Sequence, residues 1–137
     1  MGNVYTAIAT ASGRDGRAVT SDGKLDLKLS LPVEMGGDGA GTNPEQLFAA
    51  GYAACFATSM KLVAPRKGLD VSDASVTAEV GLARNDAGGY ELDVTLRVEL
   101  PDHVTPEAAR ELVEATHQVC PYSGATRGNI PVNLVIE

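Results

Sequence analysis

A run of small and apolar residues, Leu47 to Met60, most tightly constrains what this chain can fold into. The run is 14 residues long, whereas a membrane-spanning helix needs about 20 apolar residues, so we expect a core helix and no membrane span. Thr42 or Asn43 can cap its N-terminus, and Pro44 suits its first turn. A proline and a glycine shortly beyond Val63 predict where the helix ends.

Small side chains lie around nearly the whole circumference of this predicted helix (Ala49, Ala50, Gly51, Ala53, Ala54 and Ala57). A helix that is apolar on all sides is expected to be buried on all sides. A chain of 137 residues can hardly surround a helix of this length by itself. We therefore expect a second subunit to cover one face, which predicts an intimate homodimer.

The whole pattern predicts one α+β domain over residues 1–137, with a mainly antiparallel sheet, a long buried central helix and a second helix. Leucines at every second position from Leu25 to Leu31 indicate a strand with one buried face. The second helix begins after its cap Thr105 and runs to about Val119, and the segment Cys120-Pro-Tyr-Ser-Gly is interpreted as a turn. The other predicted strands are Val4 to Thr10, Ala18 to Ser21, Val76 to Ala83, Tyr90 to Leu100 and Ile130 to Ile136.

Charge and composition exclude several classes of function. The chain carries 11 Lys and Arg against 18 Asp and Glu, a net charge of −7, whereas a nucleic-acid binder needs a clustered excess of cations. The first residues lack a basic segment followed by an apolar one, so we predict no secretory signal and expect a cytoplasmic protein. The glycines between Gly36 and Gly41 lack the Gly-Lys-Ser/Thr of a phosphate loop. They are interpreted as a flexible connection where backbone comes close to other atoms.

Two cysteines, Cys55 in the apolar helix and Cys120 before Pro121, are the candidates for chemistry. A lone helical cysteine among alanines is often only a packing residue, so the pattern leaves that interpretation of Cys55 open. Cys120 could be an exposed, reactive thiol that moves on the turn. A metal site of both cysteines with His117 would lack a fourth ligand and the short paired spacings of zinc sites. His103 is interpreted as a surface residue, so no metal is predicted.

Other candidate residues have ordinary explanations. Arg14 lies in a Gly-Arg-Asp-Gly turn, where a solvated side chain is common, and Glu45 is an acid at the positive end of a helix. The chain has no Gly-x-Ser-x-Gly motif, and Cys55 has no evident histidine base, so a hydrolase is not supported. Residue patterns alone thus indicate a soluble α+β domain with two thiols that could couple.

Two blocks of sequence resemble the organic hydroperoxide resistance (Ohr) branch of the OsmC family. They are Gly41-Thr-Asn-Pro-Glu-Gln-Leu-Phe-Ala-Ala-Gly-Tyr-Ala-Ala-Cys-Phe56 and Val119-Cys-Pro-Tyr-Ser-Gly-Ala-Thr-Arg-Gly-Asn-Ile130. The opening segments Tyr5-Thr-Ala, Ser-Gly-Arg-Asp-Gly16 and Ser21-Asp-Gly-Lys-Leu-Asp26 match as well, so the similarity covers essentially the whole chain. One departure is Ser12, where the family commonly has glycine. A serine there would stiffen the arginine loop and leaves the reactive residues in place.

The resemblance implies an intertwined homodimer of OsmC-like fold that acts as a cysteine-based peroxidase in oxidative stress defence. Cys55 would be the peroxidatic thiolate, which attacks organic and fatty-acid hydroperoxides and releases the alcohol. Cys120 would be the resolving thiol, which converts the Cys55 sulfenic acid into a disulfide. Arg14 would stabilise the thiolate and the peroxide, and Glu45 would orient Arg14. No bound cofactor is implied, because dihydrolipoyl groups of lipoylated proteins would restore the thiols.

The spacing of the site residues adds an expectation about assembly. Glu45 and Cys55 are ten positions apart, about 15 Å along one helix, which is too far for both to contact Arg14 directly. We therefore expect two copies of the helix to cross near Gly51, with Glu45 and Arg14 of one chain completing the site of the other. Two alternatives stay open: an OsmC-like branch with another substrate preference, and a non-catalytic redox sensor or binding module.

Overall fold

The computed structural model describes residues 2–137, which form two compact units, one ending at Leu47 and the other running from Phe48 to Glu137. The first unit contains an antiparallel meander of three short strands, β1 (Ala9–Ala11), β2 (Arg17–Thr20) and β3 (Asp26–Lys28). The sequence predicts the meander and its order correctly. The strands are shorter than expected, and the first begins at Ala9 where the pattern predicts Val4.

The first unit buries few of its apolar side chains. Of the leucines that alternate along the predicted third strand, Leu29 is buried, whereas Leu27 keeps 39% of its surface exposed. Val4 and Ile8 are also exposed. The expectation of a strand with one buried face is therefore met only in part within residues 2–137, since Leu29 is buried, Leu25 and Leu31 are half-buried and Leu27 is exposed.

The glycine-rich connection lies against the backbone of the preceding strand, as predicted. A side chain at Gly41 would place its Cβ 2.5 Å from the carbonyl oxygen of Lys28, so only glycine fits there. A side chain at Gly37 would collide with the backbone of Leu31. The connection also contains a short 3-10 helix, Val33–Met35.

Helix α1 (Pro44–Val63) has the bounds that the sequence predicts. The side-chain Oδ1 of Asn43 accepts a hydrogen bond of 2.9 Å from the backbone N–H of Gln46, which identifies Asn43 as the cap. A 3-10 turn, Ala64–Lys67, follows, and Gly68 ends it in the left-handed conformation with a φ of 71°.

Only one face of α1 is buried within the chain. Tyr52, Phe56 and Met60 are fully buried, whereas a stripe on another face is exposed (Ala50, Ala54, Thr58 and Leu62). One copy of the chain therefore leaves a face of α1 uncovered, and the expectation that a second subunit covers one face stays a prediction. The helical segment Pro44–Lys67 contains an 18-residue window with a mean hydropathy of 1.4, long and apolar enough to cross a membrane, so the length of the apolar run does not by itself exclude a membrane span. The fully buried aromatic side chains identify α1 as a core helix.

The second unit is built on a hairpin of β4 (Ser75–Arg84) and β5 (Tyr90–Glu99), with β6 (Val132–Ile136) added parallel to β5. Residues 2–137 therefore form an α+β fold with two three-stranded sheets, where the sequence predicts one sheet. Alternate side chains of β5 are buried with those of the second helix (Val94, Leu96, Val98, Leu112 and Val113).

Two helices follow the hairpin. Helix α2 (Pro106–Val119) is capped by Thr105, whose hydroxyl accepts a hydrogen bond of 3.2 Å from the N–H of Ala108, as predicted. The predicted turn after it is instead a short helix, α3 (Pro121–Thr126). The proline that follows α2 occupies the first position of α3, where its missing N–H costs no hydrogen bond.

Candidate active site

The fold brings the two cysteines into contact although 65 positions separate them. Cys55 lies in the fourth turn of α1, and Cys120 lies at the junction of α2 and α3. The thiol of Cys120 donates to the sulfur of Cys55 at an Sγ–Sγ distance of 3.5 Å, and both thiols are free. A disulfide bond measures about 2.05 Å, so the two sulfurs need to approach by only about 1.5 Å to be joined.

The two thiols differ in accessibility. Cys120 is 1% exposed, so the expectation of an exposed thiol on a mobile turn is wrong. Its backbone explains the burial. The Cys120 N–H donates to the carbonyl oxygen of Thr116 at 2.9 Å, and the Cys120 carbonyl oxygen accepts from the N–H of Gly124 at 2.9 Å. These bonds join α2 to α3 and direct the sulfur inward. Cys55 is half-buried and is the thiol that a ligand can reach.

The surroundings of Cys55 in the second unit disfavour its thiolate. Burial raises the pKa of Cys55, a hydrogen bond from the backbone of Tyr122 opposes this, and the neighbouring Cys120 raises the pKa further. The thiol is therefore protonated at neutral pH unless a positive charge lies beside it. Rapid attack on a peroxide needs the thiolate, so a further group is required to lower the pKa of Cys55.

Cys55 opens into an apolar groove of about 580 Å³ on the second unit. The groove follows the C-terminal half of α1 and the end of α2. Leu62 and Val119 expose 65% and 53% of their surface along it. It is lined by Ala54, Cys55, Thr58, Ser59, Leu62, Val63, Arg66, Val119 and Pro121. A groove of this size and polarity can hold a chain of methylene groups against the thiol.

The sequence does not reveal that an aromatic side chain, Tyr122, lies next to the thiol pair. Tyr122 packs its ring against α1 one turn before Cys55, where Gly51 leaves room for it. Its ring centroid is 5.6 Å from that of Tyr52 and 6.1 Å from that of Phe48. A glycine on a helix facing an aromatic residue is the only signal for this contact, and sequence alone does not show which residue faces it.

A buried chain of hydrogen bonds holds α3 to α1 and α2. The Tyr52 hydroxyl lies 2.8 Å from the Oγ of Ser123 and 3.1 Å from the Oγ1 of Thr126, and Ser123 lies 2.7 Å from the Nδ1 of His117. Arg127 donates to the carbonyl oxygen of His117 at 2.6 Å. His117 therefore has a hydrogen-bonding partner of its own beside the cysteine segment, which the sequence does not reveal.

His117 also departs from the ordinary behaviour of a histidine. Burial lowers the pKa of His117, the positive charge of Arg127 lowers it further, and Glu114 opposes both. The imidazole is consequently held neutral. No group of three His, Cys, Asp or Glu side chains within residues 2–137 is arranged to hold a metal ion.

Arg14 and Glu45 form a bidentate ion pair within the first unit. The distances are 2.7 Å from Nη1 to Oε1 and 3.1 Å from Nη2 to Oε2. The hydrogen bond to Glu45 raises the pKa of Arg14, so the guanidinium keeps its charge. A side chain at Gly16 would collide with the hydroxyl of Ser12, so the exposed serine lies close to the backbone of this loop. The structure thus brings the sequence-predicted site residues together in two pairs. Arg14 contacts Glu45 within the first unit, and Cys55 contacts Cys120 within the second.

Comparisons with known proteins identify the fold and the family. A family model described as OsmC-like protein matches residues 36–135. The organic hydroperoxide resistance protein of Xanthomonas axonopodis pv. citri is 53% identical over 97% of this chain and 94% of its own length. The crystal structure of the organic hydroperoxide resistance protein OhrB of Bacillus subtilis has a TM-score of 0.89 and 42% identity, covering 98% of this chain and 100% of that one. A Vibrio cholerae protein assigned to organic hydroperoxide resistance, with captopril bound in one of its active sites, has a TM-score of 0.93 and 49% identity over 99% of this chain and 94% of its own.

These similarities define an OsmC-like α+β protein. More narrowly, the chain belongs to the organic hydroperoxide resistance branch of the OsmC family. The resemblance that the two cysteine blocks indicate is confirmed. The membership also accounts for the long core helix, because the whole chain superimposes on solved members of the branch.

Proposed function

We propose that this protein is a cytoplasmic, cysteine-based peroxidase that reduces organic hydroperoxides, including those of fatty acids, to alcohols. The observation that carries the proposal is the 3.5 Å contact between an accessible thiol, Cys55, and a buried one, Cys120. The apolar groove beside Cys55 suits substrates with an alkyl chain. The names of the relatives support the same chemistry, since they associate the branch with organic hydroperoxides.

The reaction uses the two sulfurs in sequence. The Cys55 thiolate attacks the terminal oxygen of the hydroperoxide; the O–O bond breaks, the alkoxide takes a proton and leaves as the alcohol, and Cys55 becomes a sulfenic acid. The Cys120 thiol then attacks that sulfur, which forms the disulfide and releases water. A dihydrolipoyl group of a lipoylated protein supplies two electrons and two protons, restores both thiols and leaves as the cyclic disulfide.

Arg14 and Glu45 are the proposed activating pair. Burial raises the pKa of Cys55, so a fixed guanidinium is the kind of group needed to stabilise the thiolate and the developing alkoxide. The bidentate contact with Glu45 fixes the orientation of Arg14 and leaves part of the guanidinium accessible, since the side chain is 38% exposed. The proposed activation of the thiolate by Arg14 and the orientation of Arg14 by Glu45 use side chains of the protein alone and need no bound cofactor.

The active assembly is proposed to be an intertwined homodimer in which each chain is one domain, and Arg14 and Glu45 of one chain complete the site of the other. Apolar surface left open in the single chain supports this, both in the first unit and at the N-terminal end of the exposed stripe of α1, whereas the C-terminal end of the stripe, Thr58 and Leu62, lines the groove. The crossing of the two helices is better placed at Ala50 and Ala54 than at Gly51, because the Tyr122 ring occupies the space beside Gly51.

Single-turnover oxidation tests the function. The reduced protein is mixed with cumene hydroperoxide, and its thiols and intact mass are followed. We expect both thiols to disappear as an intramolecular disulfide, and dihydrolipoamide to give sustained turnover. The matched variant Cys120→Ser should stop at a Cys55 sulfenic acid or over-oxidise, whereas Cys55→Ser should not react.

Turnover also separates the proposal from its alternatives. A redox sensor or a binding module would react once at most and would not consume peroxide when dihydrolipoamide is present. Survival of both thiols in excess peroxide would overturn the enzymatic proposal. A branch with another substrate preference would show the same disulfide with higher kcat/KM for hydrogen peroxide than for cumene hydroperoxide.

A further inference from the structure

The groove at Cys55 has one charged residue in its wall. Among the lining residues in the described part of the chain, Arg66 alone is ionised, and the others are apolar or carry a hydroxyl or a thiol. Residues 2–137 contain no acidic side chain in an ion pair with Arg66. The chain as a whole has a net charge of −7, so the charge of this groove wall differs in sign from that of the protein. Arg66 attracts an anion to the groove locally, although the net negative charge of the protein repels anions in general.

The other large cavity of the second unit shows the contrast. It has a volume of about 720 Å³ and includes Arg110, but Asp102, Glu114 and Glu137 line it as well. Its mixed charges do not favour one class of ligand. The groove at Cys55, in contrast, combines a thiol, an apolar wall and one unpaired positive charge.

The distance between the thiol and the cation sets the length of a ligand that could contact both. Cys55 and Arg66 are separated by eight residues of α1 and three of the 3-10 turn, which rise about 18 Å together. The reach of the arginine side chain can shorten this span to about 12 Å. Since an extended alkyl chain advances about 1.3 Å per C–C bond, the span corresponds to about 9 to 14 bonds.

We propose that Arg66 binds the terminal carboxylate of a long-chain fatty-acid hydroperoxide whose peroxide group lies at Cys55. This specificity role rests on the proposed peroxidase function and adds to it. The alkyl segment between the two groups covers Leu62 and Val119, which are otherwise exposed. The guanidinium donates two parallel hydrogen bonds to the two oxygens of a carboxylate, an arrangement that a neutral ester cannot form.

A comparison of a free acid with its ester tests the proposal in the dimeric, reduced protein. The substrates are the hydroperoxide of linoleic acid and its methyl ester, with dihydrolipoamide as the reductant. We expect Arg66→Gln to lower the acid-to-ester ratio of kcat/KM by about three- to tenfold, through KM, because a remote contact contributes to binding and not to the chemical step. Arg66→Lys should keep more of the ratio than Arg66→Gln, and salt should reduce the ratio in the unsubstituted protein.

The neighbouring cation provides the control. Lys67 does not line the groove, so Lys67→Gln should leave the ratio unchanged. An equal loss in Lys67→Gln and Arg66→Gln would indicate general attraction of anions and overturn the proposal. A ratio unaffected by Arg66→Gln would overturn it as well. Loss of the dimer in Arg66→Gln with an unchanged ratio would assign the groove to subunit contact instead. Failure of the unsubstituted protein to reduce cumene hydroperoxide would instead contradict the proposed function itself.

Discussion

The ring of Tyr122 occupies the space that a side chain at position 51 would fill. A Cβ added to Gly51 would lie 2.6 Å from the Tyr122 hydroxyl and 3.1 Å from the ring carbon that bears it. Tyr122 follows Cys120 by two residues, and Gly51 precedes Cys55 by one helical turn. The contact therefore fixes the distance between the two segments that carry the thiols.

The first prediction is that Gly51→Ala separates these segments. The added methyl group has to displace the ring, which costs about 1–3 kcal/mol and outweighs the gain of up to about 1 kcal/mol from the better helix former. We expect a lower free energy of unfolding in urea and a slower condensation of the oxidised Cys55 with Cys120. Stopped-flow measurement of disulfide formation after a pulse of cumene hydroperoxide checks this.

The control for that variant lies on α3. A Cβ at Gly124 meets no atom within 4 Å, so Gly124→Ala should stabilise the protein by about 0.5–1 kcal/mol and leave disulfide formation unchanged. If Gly51→Ala forms the disulfide as fast as Gly124→Ala, the ring does not set the distance between the thiol segments.

The second prediction concerns the hydroxyl of Tyr52. Tyr52→Phe removes the contacts of 2.8 Å and 3.1 Å to Ser123 and Thr126 and keeps the ring in the core. Both hydroxyls keep another partner, so the free energy of unfolding should fall by about 1–2 kcal/mol. A double-mutant cycle with Ser123→Ala, measured by urea denaturation, should show the two changes to be non-additive. Additive losses would mean that the two groups act independently.

The third prediction is a loss of stability in mild acid. The folded pKa of His117 lies below its ordinary value, so the unfolded chain binds the proton first as the pH falls below about 6.5. The contribution of His117 to stability is thus complete above pH 6.5 and decreases from there down to the folded pKa. Urea denaturation at several pH values should show a steeper loss than in His117→Gln. Parallel pH profiles for the two proteins would contradict the assignment.

The fourth prediction tests whether two chains share a site. Cys55→Ser and Arg14→Gln are each expected to be nearly inactive. If Arg14 acts on the partner's thiol, a mixed dimer contains one site with both residues intact, and mixing the variants should restore up to about a quarter of the activity. Activity no greater than the sum of the separate variants, with subunit exchange demonstrated by mass, would place Arg14 and Cys55 of each site on the same chain.

The fifth prediction follows from the raised pKa of Cys55. Without the guanidinium, burial dominates the pKa of Cys55, so Arg14→Gln should shift the thiolate titration of Cys55 to higher pH. The change in ultraviolet absorbance on thiolate formation measures it in a Cys120→Ser background. Glu45→Gln should give a smaller shift in the same direction, because the arginine keeps its charge and loses its fixed orientation. An unshifted titration in Arg14→Gln would exclude the arginine as the activating group.

Local signals in the sequence identify most of the helices and strands correctly. The cap residues Asn43 and Thr105 and the stop at Gly68 act within one turn of chain, and each is confirmed. The residue Pro121 is the exception, since a proline after a helix can end one helix or begin another. Here it begins α3, and the exposed thiol expected at Cys120 is buried as a result.

Contacts between distant segments could not be predicted in this way. The pairing of Cys55 with Cys120 depends on how α1 packs on the other two helices, and only the resemblance to a family indicated it. The chain from Tyr52 through Ser123 to His117 has no sequence pattern at all. The exposure of Leu27 could not be predicted, because apolar patterning shows that a face avoids water without showing whether its own chain covers it.

Because the two sulfurs are unequally buried, an external thiol can reach one sulfur of the proposed disulfide and not the other. Thiol–disulfide exchange begins at the sulfur that an incoming thiolate can reach in line, and the other sulfur departs. Cys55 lies at the groove while Cys120 is 1% exposed, so an external dithiol attacks Cys55 and releases Cys120 into the core. The mixed disulfide forms at the same atom that meets the peroxide, and oxidant and reductant consequently compete for one entrance.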